Sequence, residues 1–258
     1  MAEQDAQTAD QGAKVSGGVR PLTTALKTLE LLNFFSNQSS PTRLADVARE
    51  NGLSRATAYQ RLITLVEAGW LDQDTNGAYR LTMFATRLAA AALEQADLGT
   101  RVEPVLGRLA NRINETVSLA VIDRGLPCIV ARVEVNTPLR AEQRIGTFLS
   151  LDGSASGRVL CAFAQEHALE HLRAGAHSLP SEETMQKVRE DGFAVSSGYT
   201  HSGVIGLAVP VFDAHQKIVA AVSLVQPEGR FDLALTKAPM IEAATEISTL
   251  LQGTKDRK

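Results

Sequence analysis

Asn76-Gly77 stands between two strand-like runs, Trp70-Leu71-Asp72 and Ala78-Tyr79-Arg80-Leu81. That dipeptide is the strongest short signal for a chain doubling back as a hairpin, because it accepts the left-handed backbone of a tight turn. Three short amphipathic segments precede it. Leu22, Ala25, Leu26, Leu29, Leu32 and Phe35 recur at three and four residues, which predicts a helix with that stripe buried. Ser39-Ser40-Pro41 ends it, and Thr42 is placed to cap a second helix marked by Leu44, Val47 and Ala48. Asn51-Gly52 supplies a tight exit, Ser54 a new cap, and Ala58, Leu62, Leu65 and Val66 the face of a third helix. Helix, helix, tight turn, helix and hairpin, in that order, make a winged helix-turn-helix.

Projected at 3.6 residues per turn, the third helix turns Ala58, Leu62, Leu65 and Gly69 inward. Ala56, Gln60, Ile63 and Glu67 point the other way, flanked by Thr57 and Arg61. The start of the second helix of such a motif reaches base edges in duplex DNA. The expected DNA-contacting set is therefore Arg43, Ser54, Arg55, Ala56, Thr57, Tyr59, Gln60, Arg61 and Arg80. Gln60 suits an adenine edge, and Thr57 a thymine methyl or a phosphate. The net charge of −3 exerts no global pull on nucleic acid. Arg43, Arg49, Arg55 and Arg61 instead provide a local surplus over Asp46 and Glu50. The wing sets Asp72 and Asp74 against Arg80 and should add little phosphate affinity.

The remainder has another texture. An Ala-rich helix is expected over residues 84–95 and another near 101–114. Strands are expected at 117–122, 128–134, 204–212 and 218–225, and helices at 154–164, 166–173, 182–191 and about 235–251. Hairpins joining several strands imply an antiparallel sheet, so the fold class is α+β. The expected division is a disordered tail over 1–18, a winged helix-turn-helix over 19–82, a linker helix over 83–97, an effector-binding domain over 98–252 and a tail over 253–258. Neither a signal sequence nor an apolar run of membrane-spanning length is present, which points to a cytoplasmic protein without a membrane partner. Cys128 and Cys161 sit in apolar runs, as buried reduced thiols do.

Residues 151–158 read LDGSASGR. A nucleophile elbow needs serine at the centre of its glycine-flanked pentapeptide, and here Ala155 occupies it. A phosphate loop needs lysine and a hydroxyl residue after its last glycine, and Arg158-Val159 follows Gly157. The stretch instead fits the start of a helix capped by Asp152 or by Ser154, whose free N–H groups suit an anion. His167 and His171 lie one helical turn apart, but no third metal ligand accompanies them, and no cofactor is implied.

Taken with "ALKTLELLNFF", "TRLADVARENGLSRATAYQRLITLVEAGWLDQDTNGAYRL", "GTFLSLDGSASGRVLCAF" and "GVIGLAVPVFDAHQKIVAAVSLVQP", the chain from Leu22 onward resembles the IclR family of bacterial transcription regulators. The resemblance implies a repressor or activator of the cytoplasm, bound to a double-stranded DNA operator as a homodimer or homotetramer. It also implies a GAF-like C-terminal domain answering to a small organic metabolite, such as an organic acid or an aromatic catabolite. On that resemblance the effector-binding residues are Leu149, Gly153, Ser154, Ala155, Gly206, Leu207, Ser223 and Val225, with Val222 in the same wall. Ser223 reads equally as hydrogen-bonded core or as an effector contact. Two departures stand out: Gln60 replaces the family's usual arginine, and "SSGYTHSG" replaces its paired glutamates before Gly203. The second removes the carboxylates on which metal binding in some members depends. A different class of function, a thiol enzyme working through Cys128 or Cys161, would need an exposed cysteine of low pKa.

Overall fold

The computed structural model describes residues 20–95, 101–135, 143–199 and 201–252. The expected tails at 1–18 and 253–258, and the end of the expected linker at 96–97, lie outside them. The chain divides into two compact units between Ala89 and Ala90.

In the first unit, helices α1 (Thr23–Ser36), α2 (Leu44–Glu50) and α3 (Arg55–Glu67) pack with a small sheet of β1 (Thr42–Arg43), β2 (Leu71–Gln73) and β3 (Ala78–Leu81). The sheet order is β1-β3-β2, with both pairings antiparallel. Leu31, Phe35, Val47, Leu62, Leu65, Leu71 and Tyr79 form its core. Gly52, with φ +60°, ends α2 in the left-handed conformation that only glycine adopts without steric cost. The Gly52 and Leu53 amides then close onto the Arg49 and Ala48 carbonyls, which satisfies the helix end before Ser54 opens α3.

Four expectations are corrected in this unit. The buried stripe of α1 is Thr28, Leu31 and Phe35, whereas Leu22, Leu26 and Leu29 stay exposed. Thr42 does not cap α2; it pairs with Tyr79 in β1, and Arg43 precedes the helix without a side-chain cap. The hairpin loop is longer than the two residues Asn76-Gly77, because Asp74 already accepts from the Gly77 amide and donates to the Ala78 carbonyl. Asp74 Oδ1 also accepts the Asn76 and Ala78 amides at 2.8 and 2.9 Å, folding the loop around one carboxylate. Gly69 lies exposed just past the end of α3 rather than on its inner face.

Helix α4 (Phe84–Gln95) spans the division between the units. The second unit contains α5 (Val102–Ile113), β4 (Val117–Asp123), β5 (Leu126–Val133), α6 (Ala155–Ala162), α7 (Glu166–Arg173), α8 (Glu182–Asp191), β6 (Ala194–Ser197), β7 (Val204–Phe212), β8 (Ile218–Pro227) and α9 (Leu233–Gln252). Its five strands form one antiparallel sheet in the order β5-β4-β8-β7-β6. Helices cover both faces. Leu207, Val209, Val211, Val222 and Leu224 pack with residues of α5 and α9 in one core. Ala208, Ala221 and Ala194 pack with α6, α7 and α8 in another. The four-residue strand β6 is an element that the periodicity of the chain did not announce.

Close contact decides how α6 sits. A Cβ added to Gly157 would lie 2.2 Å from the Ser150 carbonyl oxygen and 2.4 Å from that of Leu151. Both obstacles are backbone, so neither can swing aside. Gly157→Ala is therefore expected to lower unfolding stability by about 3 kcal/mol, the upper range for overpacking, read from the urea midpoint at unchanged slope.

Candidate DNA-reading helix and effector cleft

Ser54 caps α3 as expected: its Oγ accepts the Thr57 amide at 3.1 Å and lies 2.8 Å from Thr57 Oγ1. The two hydroxyls are thereby engaged with the helix start. Ala58, Leu62 and Leu65 are buried, and Arg55, Ala56, Tyr59 and Gln60 are exposed on the other side. Arg61 Nη1 donates to the Lys27 carbonyl in α1 at 3.3 Å. Arg43 is exposed beside α2. Arg80, in the wing, is ion-paired with Asp72 at 3.1 Å, both side chains being more than half exposed. Such a pair contributes little to stability, yet it offsets the cation that a phosphate would use.

In the second unit, one end of the sheet and the start of α6 border a small cleft, with a cavity volume of about 30 Å³. Of the expected effector residues, Leu149, Ser154, Ala155, Gly206, Ser223 and Val225 line this cleft. Leu207 and Val222 do not. They are fully buried on the opposite face of the sheet, against the core of α5 and α9, because strand neighbours alternate sides. Gly153 is not among the lining residues either; the Tyr199 ring fills the space where its side chain would stand.

Ser154 and not Asp152 caps α6, with Oγ accepting the Gly157 amide at 2.9 Å and donating to the Ser150 carbonyl at 2.6 Å. The Asp152 carbonyl accepts from Arg158 Nε at 2.6 Å, and Arg158 Nη1 also donates to the Val195 carbonyl in β6 at 3.0 Å. The arginine that disqualified the phosphate-loop reading thus ties the loop to the sheet. Backbone bonds from Gly146, Thr147 and Leu149 to residues 127 and 129 lay the preceding segment along β5.

Sequence reasoning missed Gln143, Ser156, Ser196, Tyr199, Val204 and Leu224 in the cleft wall. Ser156, Ser196 and Ser223 are only 2%, 8% and 6% exposed. All three line the cleft. The one buried side-chain polar atom without a hydrogen-bond partner among the described residues is Gln226 Nε2, so these hydroxyls are not sealed off without a partner. No side chain among the described lining residues carries a charge. Ser156 was visible in the GSASG run; Ser196 was hidden because β6 itself was.

The thiols are unsuited to chemistry. Cys161 is fully buried, and burial reinforced by the Asp152 charge pushes its pKa up to about 12. Burial likewise raises Cys128, with Asp123 adding to the effect and Arg124 opposing it. His167 and His171 are exposed on α7, and the described residues hold no cluster of three or more metal-ligating side chains.

Residues 90–249 match the profile of the bacterial transcriptional regulator IclR C-terminal domain, and residues 24–75 that of the IclR helix-turn-helix domain. The chain belongs to the IclR family. It is 29% identical over 218 residues to the HTH-type transcriptional regulator XynR of Escherichia coli K12, covering 80% of this chain and 86% of that one. Identity to the transcriptional repressor IclR of the same organism is 26% over 258 residues, 93% of each chain. An IclR homolog from Microbacterium hydrocarbonoxydans, crystallised with 4-hydroxybenzoate, shares the fold with a TM-score of 0.71 and 24% identity, covering 88% of this chain and 98% of that one. This IclR-family protein is accordingly a transcriptional regulator with a DNA-binding N-terminal domain and a C-terminal effector domain, and not an enzyme. No described helix is long and apolar enough to cross a membrane.

The geometry at Ser54 carries a stability consequence. Ser54→Ala is expected to cost the first unit about 1 kcal/mol, the usual value of a lost N-cap. Hydrogen exchange of the α3 amides is the suitable readout, with protection lowered there and unchanged in the second unit.

Proposed function

We propose that this regulator binds its operator through α3 and adjusts that binding to a small organic acid or aromatic metabolite held in the cleft beside α6. The observation that carries the reading is the gathering of three hydroxyls, Ser156, Ser196 and Ser223, on one cleft whose described lining carries no charge. A few hydroxyls in an otherwise apolar wall can donate to an oxygen-bearing occupant and fix its orientation. The start of α6 borders the cleft through Ser154, Ala155 and Ser156, and the N-terminal end of a helix together with hydroxyls suits a carboxylate. Leu149, Val204 and Val225 supply apolar wall for the rest of the ligand. Gly206 keeps the floor open, since a Cβ there would lie 2.8 Å from Ser196 Oγ and 3.7 Å from Ala155 Cβ. The homolog that binds 4-hydroxybenzoate adds support for an aromatic acid.

The assignment is of DNA binding to residues 19–82, linkage to 83–97 and effector binding to 98–252, in a cytoplasmic homodimer or homotetramer. Two copies of α3 would meet half-sites about 34 Å apart or a multiple of that, one turn of the duplex. The ligand acts by favouring one arrangement of the paired DNA-binding domains over another.

A thermal-shift panel of aliphatic and aromatic carboxylates, including 4-hydroxybenzoate, tests the cleft. At least one compound should raise the melting temperature of the wild type, and Gly206→Ala should abolish the rise. A panel without any hit, or a hit that survives Gly206→Ala, would place the effector elsewhere. For the DNA arm, Arg55→Ala should reduce the slope of log affinity against log salt by about one, the signature of one lost phosphate contact.

A further inference from the structure

The structure separates residues of α3 that are occupied from those that are free. The Ser54 and Thr57 hydroxyls are engaged with each other and with the helix start. The Arg61 guanidinium is drawn toward α1 by the Lys27 carbonyl. Among the exposed residues of the same helix is Ile63, 45% exposed and absent from the set expected to touch DNA. Ala56, Tyr59, Gln60 and Ile63 stand at positions i, i+3, i+4 and i+7, all four exposed. A helix lying along the major groove reaches base edges at that spacing, as homeodomain recognition helices do.

The chemistry of this row is mostly hydrocarbon. Gln60 carries an amide able to pair with both edge groups of adenine, whereas Ala56 and Ile63 offer only methyl and methylene surface. In the major groove, apolar contact is made with the thymine 5-methyl group. A solitary exposed isoleucine elsewhere on a protein would need no explanation. Here it extends a row whose occupant, for this family, is duplex DNA.

We propose that Ile63 is a specificity-determining residue that packs on a thymine 5-methyl group while Gln60 reads a neighbouring adenine, so that α3 selects a step rich in A·T pairs. Arg55 flanks the row and holds a phosphate. The proposal rests on α3 being the DNA-reading helix.

The test uses the full-length protein and duplexes enriched by it from a random-sequence pool. Each thymine of an enriched duplex is replaced in turn by uracil, which removes the 5-methyl and nothing else. At one thymine per half-site, uracil should weaken wild-type binding about fourfold, the value of one methyl group removed from water. Ile63→Ala should bind the thymine and uracil duplexes equally, with its melting temperature and salt slope unchanged. Ile63→Val should retain part of the preference. Wild type that tolerates uracil at every thymine overturns the proposal, as does Ile63→Ala that keeps the preference. A protein that retains no duplex from the pool at low salt overturns the DNA-reading role of α3 itself, a separate failure.

Discussion

The two faces of the five-stranded sheet are built from side chains of different size, and the second unit is arranged around that difference. Toward α5 and α9 the central strands present Leu207, Val209, Val211, Val222 and Leu224, which fill the space between layers at ordinary depth. Toward α6 they present Gly206, Ala208, Ala221 and Ser223, and α6 answers with Ala155, Ser156 and Gly157. Small residues on both sides allow helix and sheet to approach closely. At the start of α6 the preceding loop also lies so close that Gly157 leaves no space for a methyl group against the Ser150 and Leu151 carbonyls. At the open end of that contact, where α6 begins, the same small residues leave a cleft.

Two-sided burial also explains which parts of the fold could be read directly. Strands 204–212 and 218–227 appear in the sequence as continuous apolar runs, because no solvent-facing side imposes alternation. Their existence was legible, but their facing was not. The apolar runs therefore group Leu207 and Val222 with the cleft, although it is their neighbours Gly206 and Ser223 that line it. Helices with one polar face, such as 84–95, 166–173 and 182–191, were legible to the residue. Strand β6, four residues after a glycine-phenylalanine turn, offered too little pattern to register. In α1 two leucine stripes fit a helical period equally well, and only the partners supplied by α3 and β3 choose Leu31 over Leu29.

The candidate sites were legible to different degrees for the same kind of reason. The outward face of α3 follows from helix geometry once its buried face is known, so Arg55, Ala56, Tyr59 and Gln60 fell where expected. What the pattern could not show was which polar groups are already engaged: the Arg61 bond to Lys27 and the Arg80 pair with Asp72 depend on neighbours remote in sequence or across a hairpin. The cleft depends on contacts between distant segments, so serines at 156, 196 and 223 became one site only in three dimensions.

The Ser54–Thr57 cap gives α3 a division of labour. The groups that start the helix and those that bury it, Ala58, Leu62 and Leu65, are separate from the exposed row at 56, 59, 60 and 63. On the proposed role of α3, substitutions in that row change what the helix recognises while leaving intact what makes it a helix. A lineage carrying this domain can acquire new operators one residue at a time without passing through an unfolded ancestor.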